Sequence, residues 1–267
     1  MTVDVDAVND APTVVDDADS VTEGGTVTET TNGEDTVISD DSDIDSGGAL
    51  TVSGTVTQTS ATDTSGSPIS IATPNSASVG FAVTGYYGQL TLDSDGTYSY
   101  TANQSNADAL DDGESATDVF TFAVSDGTTT TSSTITFTIN GENDAPESAD
   151  NTVTTDEDTD YTFSTGDFTF SDVDSADSLD HITIVDLPTN GTLYLSGVEV
   201  SAGDEITAAD IANLVFRPAA NENGAGYDSF TFTINDGTAD SSSSYTLSLI
   251  HIPSPRDRQK SRMPSSA

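Results

Sequence analysis

The chain has 267 residues, enough for one or two domains, and sets 46 acidic residues against five basic ones for a formal charge of −41. Four of the five bases (Arg256, Arg258, Lys260, Arg262) crowd the last dozen positions beside one acid, Asp257, so the body upstream carries 45 acids against Arg217 alone. Such a body repels nucleic acid and anionic membrane surfaces at long range and attracts cations.

There is no cysteine, which removes disulfides and thiolate metal sites. No apolar run reaches the 18 or so residues a membrane helix needs, so membrane insertion is not expected. Low hydrophobicity with high charge would by itself describe a disordered chain. The patterning describes strands instead, which points to a chain that folds when something neutralises its carboxylates.

In chain order, Thr2-Val3-Asp4-Val5 alternates as a strand and runs into Asn9-Asp10-Ala11-Pro12. The same joint returns as Asn143-Asp144-Ala145-Pro146 after the alternating Thr136-Phe137-Thr138-Ile139. Residues 1–9 therefore read as the last strand and linker of a preceding repeat, with modules over 10–143 and 144–249. Gln89-Leu90-Thr91-Leu92 and Thr97-Tyr98-Ser99-Tyr100 flank Asp93-Ser94-Asp95-Gly96 as a hairpin, Gly96 supplying the positive φ of the turn. In the run to Val124, Phe120, Phe122 and Val124 share one face with Thr121 opposite, the period of a half-buried antiparallel strand. Thr192-Leu193-Tyr194-Leu195 and Val198-Glu199-Val200 flank Ser196-Gly197 as a second hairpin. The one helical candidate is Thr207-Ala208-Ala209-Asp210-Ile211-Ala212, a single turn or two. Phe230-Thr231-Phe232-Thr233-Ile234-Asn235-Asp236-Gly237 echoes Phe120-Thr121-Phe122-Ala123-Val124-Ser125-Asp126-Gly127. Many short strands with regular turns predict an all-β protein of tandem antiparallel β-sandwich modules in an elongated array.

Residues 250–267 break from this composition, with bases, Met263 and clustered prolines. The segment reads as the translation of a sequencing-library adapter, an artefactual tail excluded from the fold. Its junction falls between about Thr246 and Ile250, because Leu247 and Leu249 also fit the strand before them.

The stretch from Gly88 to Pro146, with GQLTLDSDGTYSY, ALDDGESATDVFTFAVSDG and TITFTINGENDAP, resembles a VCBS repeat, a module arrayed in large bacterial surface proteins of the RTX-adhesin kind. Residues 144–249 resemble the cadherin-like repeats that accompany it, through TDEDT, SDVDSADSL, LVFRPAANENG and DSFTFTINDG. These resemblances imply Ig-like sandwiches strung end to end, export through a type I system, a secreted or cell-surface location, and Ca²⁺ bound at the joints between neighbouring repeats.

Calcium takes six to eight hard oxygen ligands held on converging turns, which short Asp and Asn side chains supply. At the second joint Asn140, Asn143 and Asp144 lie on the linker. Asp112-Gly113-Glu114 resembles the acidic D-x-E of cadherins, Glu23 their early-strand glutamate, and Asp172-Val173-Asp174 the D-x-D of the following module. The first joint offers Asp6, Asn9 and Asp10 on the linker with Asp43-Ile44-Asp45 from the module after it. The linker departs from the cadherin D-x-N-D-N in its spacing and lacks the second Asn, which leaves the ion count per joint open. Asp93, Asp95 and Asp126 read as solvated turn residues, and the Asp93–Gly96 stretch lacks the rest of an EF-hand loop.

Nothing in the chain reads as a catalytic constellation. His181 is the only histidine before the tail and no nucleophile elbow accompanies it, while Arg217 reads as a structural partner of some carboxylate. The function expected is that of an extender in a bacterial adhesin, stiffened by calcium, with cell-surface glycans or proteins met through a distal domain. A calcium-dependent carbohydrate- or receptor-binding module is the alternative, though the chain has no tryptophan to stack on a sugar. A halophile-type acidic surface without specific metal sites is a third, and it predicts acids spread evenly over strands rather than gathered at turns.

Overall fold

The computed structural model describes residues 8–29, 36–45, 49–174, 176–220 and 224–252. Asp6, the strand expected at residues 2–5 and the tail from 253 onward lie outside them. The chain divides into two compact units, residues 1–143 and 144–267. Among the described residues there is no α-helix; each unit is a pair of β-sheets closed on an apolar core.

In the first unit β1 (Asp17–Thr22), β3 (Thr51–Thr62), β4 (Pro68–Ile69), β5 (Ser76–Ser78), β9 (Ser115–Ser125) and β10 (Thr130–Asn140) form one sheet in the order β1-β10-β9-β3-β4, with β5 also on β3. The facing sheet is β2 (Thr26–Thr28), β8 (Tyr98–Thr101), β7 (Gln89–Leu92) and β6 (Val83–Thr84). All pairs are antiparallel except β1 on β10. The first strand changes sheets at Glu23-Gly24, where Gly24 takes φ +65°, a conformation other residues reach at a cost. The expected alternation holds: Phe120, Phe122 and Val124 are buried on β9, on the same inner face as Ile135, Phe137 and Ile139 of neighbouring β10, with Leu90, Leu92 and Tyr100 buried on the other sheet. Tyr100 stacks on Phe137 with centroids 4.1 Å apart.

Asp118 falls on the same buried face of β9, fully enclosed. Its carboxylate accepts from Gln58 Nε2 (2.9 Å), the amides of Tyr86 (3.0 Å), Tyr87 (2.9 Å) and Gly88 (3.1 Å), and the Tyr100 hydroxyl (2.8 Å). Burial pushes this carboxyl above its ordinary value, while the Tyr87 amide, the Tyr100 hydroxyl and the other donors pull it back. The three amides come from the tight loop at residues 85–88. A Cβ on Gly88 would stand 2.4 Å from the Tyr100 ring, so only glycine lets the loop close over it.

The second unit repeats the plan. The strands β11 (Asn151–Asp156), β19 (Tyr245–Ile252), β18 (Gly224–Asn235), β13 (His181–Asp186) and β16 (Glu205–Thr207) form a five-stranded sheet in that order, β11 lying parallel to β19. Opposite lie β12 (Tyr161–Thr162), β17 (Leu214–Pro218), β14 (Gly191–Leu195) and β15 (Val198–Glu199). Phe163, Phe168, Ile182, Ile184, Phe216, Phe230 and Phe232 fill the core. The β14–β15 turn at Ser196-Gly197 has both residues at positive φ (+49° and +84°), the mirror-image turn whose twist suits a hairpin.

One expectation is corrected. Residues 207–212 form no helix: Thr207 ends β16, its hydroxyl meets Asp210 (2.9 Å), and only Ile211–Asn213 makes a 3₁₀ turn before β17. A hydroxyl and a carboxylate that bond locally compete with helix formation there. The final strand runs through Ile252. The Glu157 amide donates to Ile252 O as the Glu23 amide does to Asn140 O, so His251 stands where the first unit has Ile139. It is buried and stacked on Tyr227 at 4.1 Å.

Candidate metal centres

The D-x-D segments of the two units fold alike. Ser42, just before Asp43, exchanges backbone hydrogen bonds with Thr13 (2.8 and 2.9 Å); Ser171, just before Asp172, does so with Glu147 at the same distances. These bridges lay each linker segment against its D-x-D loop. The Asp10 amide then donates to the Asp45 carboxylate, and the Asp144 amide to Asp174 Oδ2 at 2.7 Å. Within each loop the second acid's amide donates to the first acid's Oδ1: Asp45 to Asp43 at 2.8 Å, Asp174 to Asp172 at 3.1 Å. The other oxygens, Asp43 Oδ2 and Asp172 Oδ2, are both buried and accept no hydrogen bond from the described residues. A buried carboxylate oxygen without a donor is costly unless a cation meets it, and hard oxygens of this kind suit Ca²⁺.

A third loop lies near each D-x-D segment, and in the first unit its Asp126 was expected to be a solvated turn residue. Asp126 does serve its own turn, accepting the amides of Thr128 (2.6 Å) and Thr129 (2.7 Å), and it also accepts the side chain of Asn9 (2.8 Å). The Thr129 amide, the Asn9 side chain and the Thr128 amide hold this carboxyl well below the usual range. Asp236 accepts the amides of Thr238 and Ala239 in the same way (2.6 and 2.7 Å). In the second unit the carboxylates of Asp172, Asp177 and Asp236 lie within 4.8 Å of one another. Asp177 and Asp236 were missed in the sequence; the repeated Asp-Gly after β9 and β18 was the available signal, and turn chemistry explained it too readily.

At the other end of the first unit, Glu23 and Asn140 are brought together by the amide of one donating to the carbonyl of the other at 2.9 Å. The acidic loop at 111–114 is fastened beside them, with Gly141 N donating to Glu114 O (3.1 Å) and Glu114 N to Asp111 O (2.9 Å). A Cβ on Gly141 would meet Leu110 O at 2.2 Å, so the close approach requires glycine. In this loop Asp112 is exposed, while the unpredicted Asp111 is half-buried and accepts the Asp112 amide (2.6 Å). Asn143 is the last residue of the unit. Of the predicted set, Asn9, Asp10, Asp43 and Asp45 gather at the D-x-D end of the first unit and Glu23, Asp112, Glu114 and Asn140 at its other end. Asp144, Asp172 and Asp174 gather in the second unit.

The remaining singled-out residues have structural partners. Arg217 pairs with Asp160 (3.1 Å) over the Tyr194 ring (4.8 Å). His181 opens β13 beside Asp180 (2.9 Å). Asp95 accepts the hydroxyl and amide of Thr97, bonds that lower its pKa.

Paired sheets with a strand that switches between them, and an acidic D-x-D loop at one end, define tandem Ig-like β-sandwich modules. Residues 9–141 match the bacterial cadherin-like domain and residues 143–248 the bacterial Ig domain, so cadherin-like and Ig-like modules follow one another in the chain. The sequence resemblances divide otherwise, VCBS for the first module and cadherin-like for the second. Among solved structures the chain is similar to human protocadherin-24 EC1-2 (14% identity over 89% of this chain and 95% of that one, TM-score 0.45). It is also similar to titin domains Z1Z2 in complex with telethonin (14%, 93% and 100%, TM-score 0.26). A third similar structure is an endo-fucoidan hydrolase of glycoside hydrolase family 107 (19%, 91% and 29%, TM-score 0.29), of whose length the chain spans 29%. A comparison with curated proteins gives no match.

Proposed function

We propose that the chain is a stretch of non-enzymatic extender repeats from a secreted or cell-surface bacterial adhesin, and that its D-x-D ends bind Ca²⁺. The observation that carries this reading is the pair of buried, donorless oxygens, Asp43 Oδ2 and Asp172 Oδ2, at matching positions of two modules. An evenly acidic surface of the halophile kind needs no such oxygens. Asp172, Asp174, Asp177 and Asp236 would hold the ion in the second module; Asn9, Asp10, Asp43 and Asp45 would do so in the first, with Asp6 as a further donor. By the cadherin resemblance, Glu23, Asp112, Glu114, Asn140 and Asn143 would be calcium ligands contributed by the first module, and Asp144 one contributed by the second.

Bound calcium supplies positive charge and a rigid oxygen cage. It offsets the mutual repulsion of the carboxylates and stabilises only the folded form. Stiff joints suit a stalk that holds a distal head away from the cell, and that head would meet glycans or proteins. Calcium titration of the full chain by calorimetry tests the reading. Stoichiometric binding that Asp172→Ala and Asp43→Ala each reduce is the expected result; heats indistinguishable from those with magnesium would contradict it.

A further inference from the structure

The segment that enters the first module, residues 9–16, precedes β1 and lies outside both sheets, yet its backbone is tied along two edges. Its amides face the D-x-D loop: Asp10 N donates to the Asp45 carboxylate, Thr13 N to Ser42 O (2.8 Å) and Val15 N to Asp41 Oδ1 (2.9 Å). Its carbonyls face the final strand. There three hydroxyls at every second position, Thr129, Thr131 and Ser133, donate to Asp10 O (3.3 Å), Pro12 O (2.8 Å) and Val15 O (3.0 Å). The Thr134 amide adds a bond to Asp16 Oδ1 (2.9 Å), and Asn9 Nδ2 one to Asp126 Oδ2 (2.8 Å). A backbone ladder to β10 could not form here, because Pro12 has no amide and the amides of Thr13 and Val15 are committed to the other side. Side-chain hydroxyls reach across instead.

Beyond Asp16 the segment becomes β1, which runs parallel to β10 over six residue pairs, from Asp17↔Ile135 to Thr22↔Asn140. Tension on the chain enters this module at Asn9 and leaves it through Asn140. In a parallel pair such opposed pulls slide one strand along the other, so the bonds between them are strained together rather than opened singly from one end. The row of hydroxyls extends that contact back to Asp10, the end where tension enters. We infer that residues 10–16 are a tension strap, and that the hydroxyls of Thr129, Thr131 and Ser133 hold the first module closed when the chain is pulled. The strap bonds lie between the entry point and β1, so they must break before β1 can slide. The inference takes from the extender reading only that the chain is pulled, and it requires no calcium.

The test pulls single molecules of the full chain from its two ends, in EDTA and at constant force. The first module releases more chain than the second (residues 9–140 against 147–252), so the larger extension step marks it, at about 3.5 Å per released residue. Thr131→Val together with Ser133→Ala should raise the rate of the larger step about thirtyfold, and Thr131→Val alone about fivefold, at one net hydrogen bond per hydroxyl. The smaller step should keep its rate. Tyr87→Phe removes a hydroxyl-to-carbonyl bond of the same kind, to Thr62 O (3.0 Å), away from the strap. It should weaken the module against chemical unfolding and leave the mechanical rate unchanged. Chemical unfolding of each variant verifies that the module still folds. A larger step that keeps its rate in both strap variants, or that Tyr87→Phe speeds as much as they do, would show that the strap bears no tension. Either result leaves the calcium reading standing, since EDTA removes the ion, and a failed calcium titration leaves the strap standing.

Discussion

The Asp144 amide donates to Asp174 Oδ2 at 2.7 Å, which ties the start of the second module to its own D-x-D loop. Asp174→Ala should cost about 1.5–3 kcal/mol, the range for a hydrogen bond to a charged group, when chemical unfolding is followed in EDTA. A cost that appeared only with calcium would mean that the carboxylate acts as a ligand alone and not as a clamp.

Asp118 and Asp228 hold corresponding places, each two residues before the first core phenylalanine of its strand, Phe120 or Phe230. Asp228 accepts the amides of Thr189 (3.0 Å) and Asn190 (2.5 Å) from the loop before β14, as Asp118 does from the loop before β7. Asp118→Ala strands three backbone amides, Gln58 and the Tyr100 hydroxyl inside the first module. At about 1–3 kcal/mol for each unsatisfied group, that change should unfold the module at room temperature. Asp228→Ala, in a more open setting, should lower the second module's stability by about 1–2 kcal/mol. Calorimetry should show the first module's transition lost in Asp118→Ala and the second module's lowered in Asp228→Ala.

The glycines after these loops are a second shared device. A Cβ at Gly88 would stand 2.4 Å from the Tyr100 ring, and one at Gly191 2.4 Å from the Phe216 ring. Gly88→Ala and Gly191→Ala should each cost about 1–3 kcal/mol by overpacking. A neutral effect at Gly191 would show that Phe216 can swing aside.

Alkaline pH should destabilise the first module. Burial, together with neighbouring Tyr86 and Asp118, pushes Tyr87 up to about 12, and burial raises Tyr98 and Tyr100 further still. All three hydroxyls donate, to Thr62 O, Asp19 and Asp118. Their folded pKa values exceed the unfolded value of 10, so the folded state keeps its protons longer. The stability they contribute is complete below pH 10 and is lost as pH rises towards 12 and beyond. Ultraviolet absorbance should show their ionisation coinciding with loss of the β-sheet dichroism. Reversible ionisation near pH 10 with the sheet signal intact would contradict this.

The fold was legible in the sequence wherever local patterns are strong: Phe120, Phe122 and Val124 announce β9 by alternation, and Ser196-Gly197 announces the β14–β15 hairpin turn, because both patterns follow from local backbone chemistry. Asp118 was not legible. It lies on the same buried face, but a carboxylate in an acidic chain gives no sign of the loop that will fold over it. The D-x-D acids were found through a motif, and Asp177 and Asp236 were missed because their meeting with Asp172 depends on two loops far apart in sequence converging. Asp111 was passed over for Asp112 because D-x-E spacing cannot say which of two adjacent acids turns inward.

The most direct test of the account is thermal unfolding of the chain in EDTA and across a calcium titration, with magnesium as control. Calcium at a hundred times its dissociation constant adds about 2.7 kcal/mol per site, a rise of roughly 10 °C for a module of this size. The account predicts a calcium-specific rise of that order, diminished by Asp172→Ala for the second module and by Asp43→Ala for the first. Melting that ignores calcium but climbs equally with any salt would reduce the carboxylates to a screened acidic surface, leaving the sandwiches and removing the metal sites.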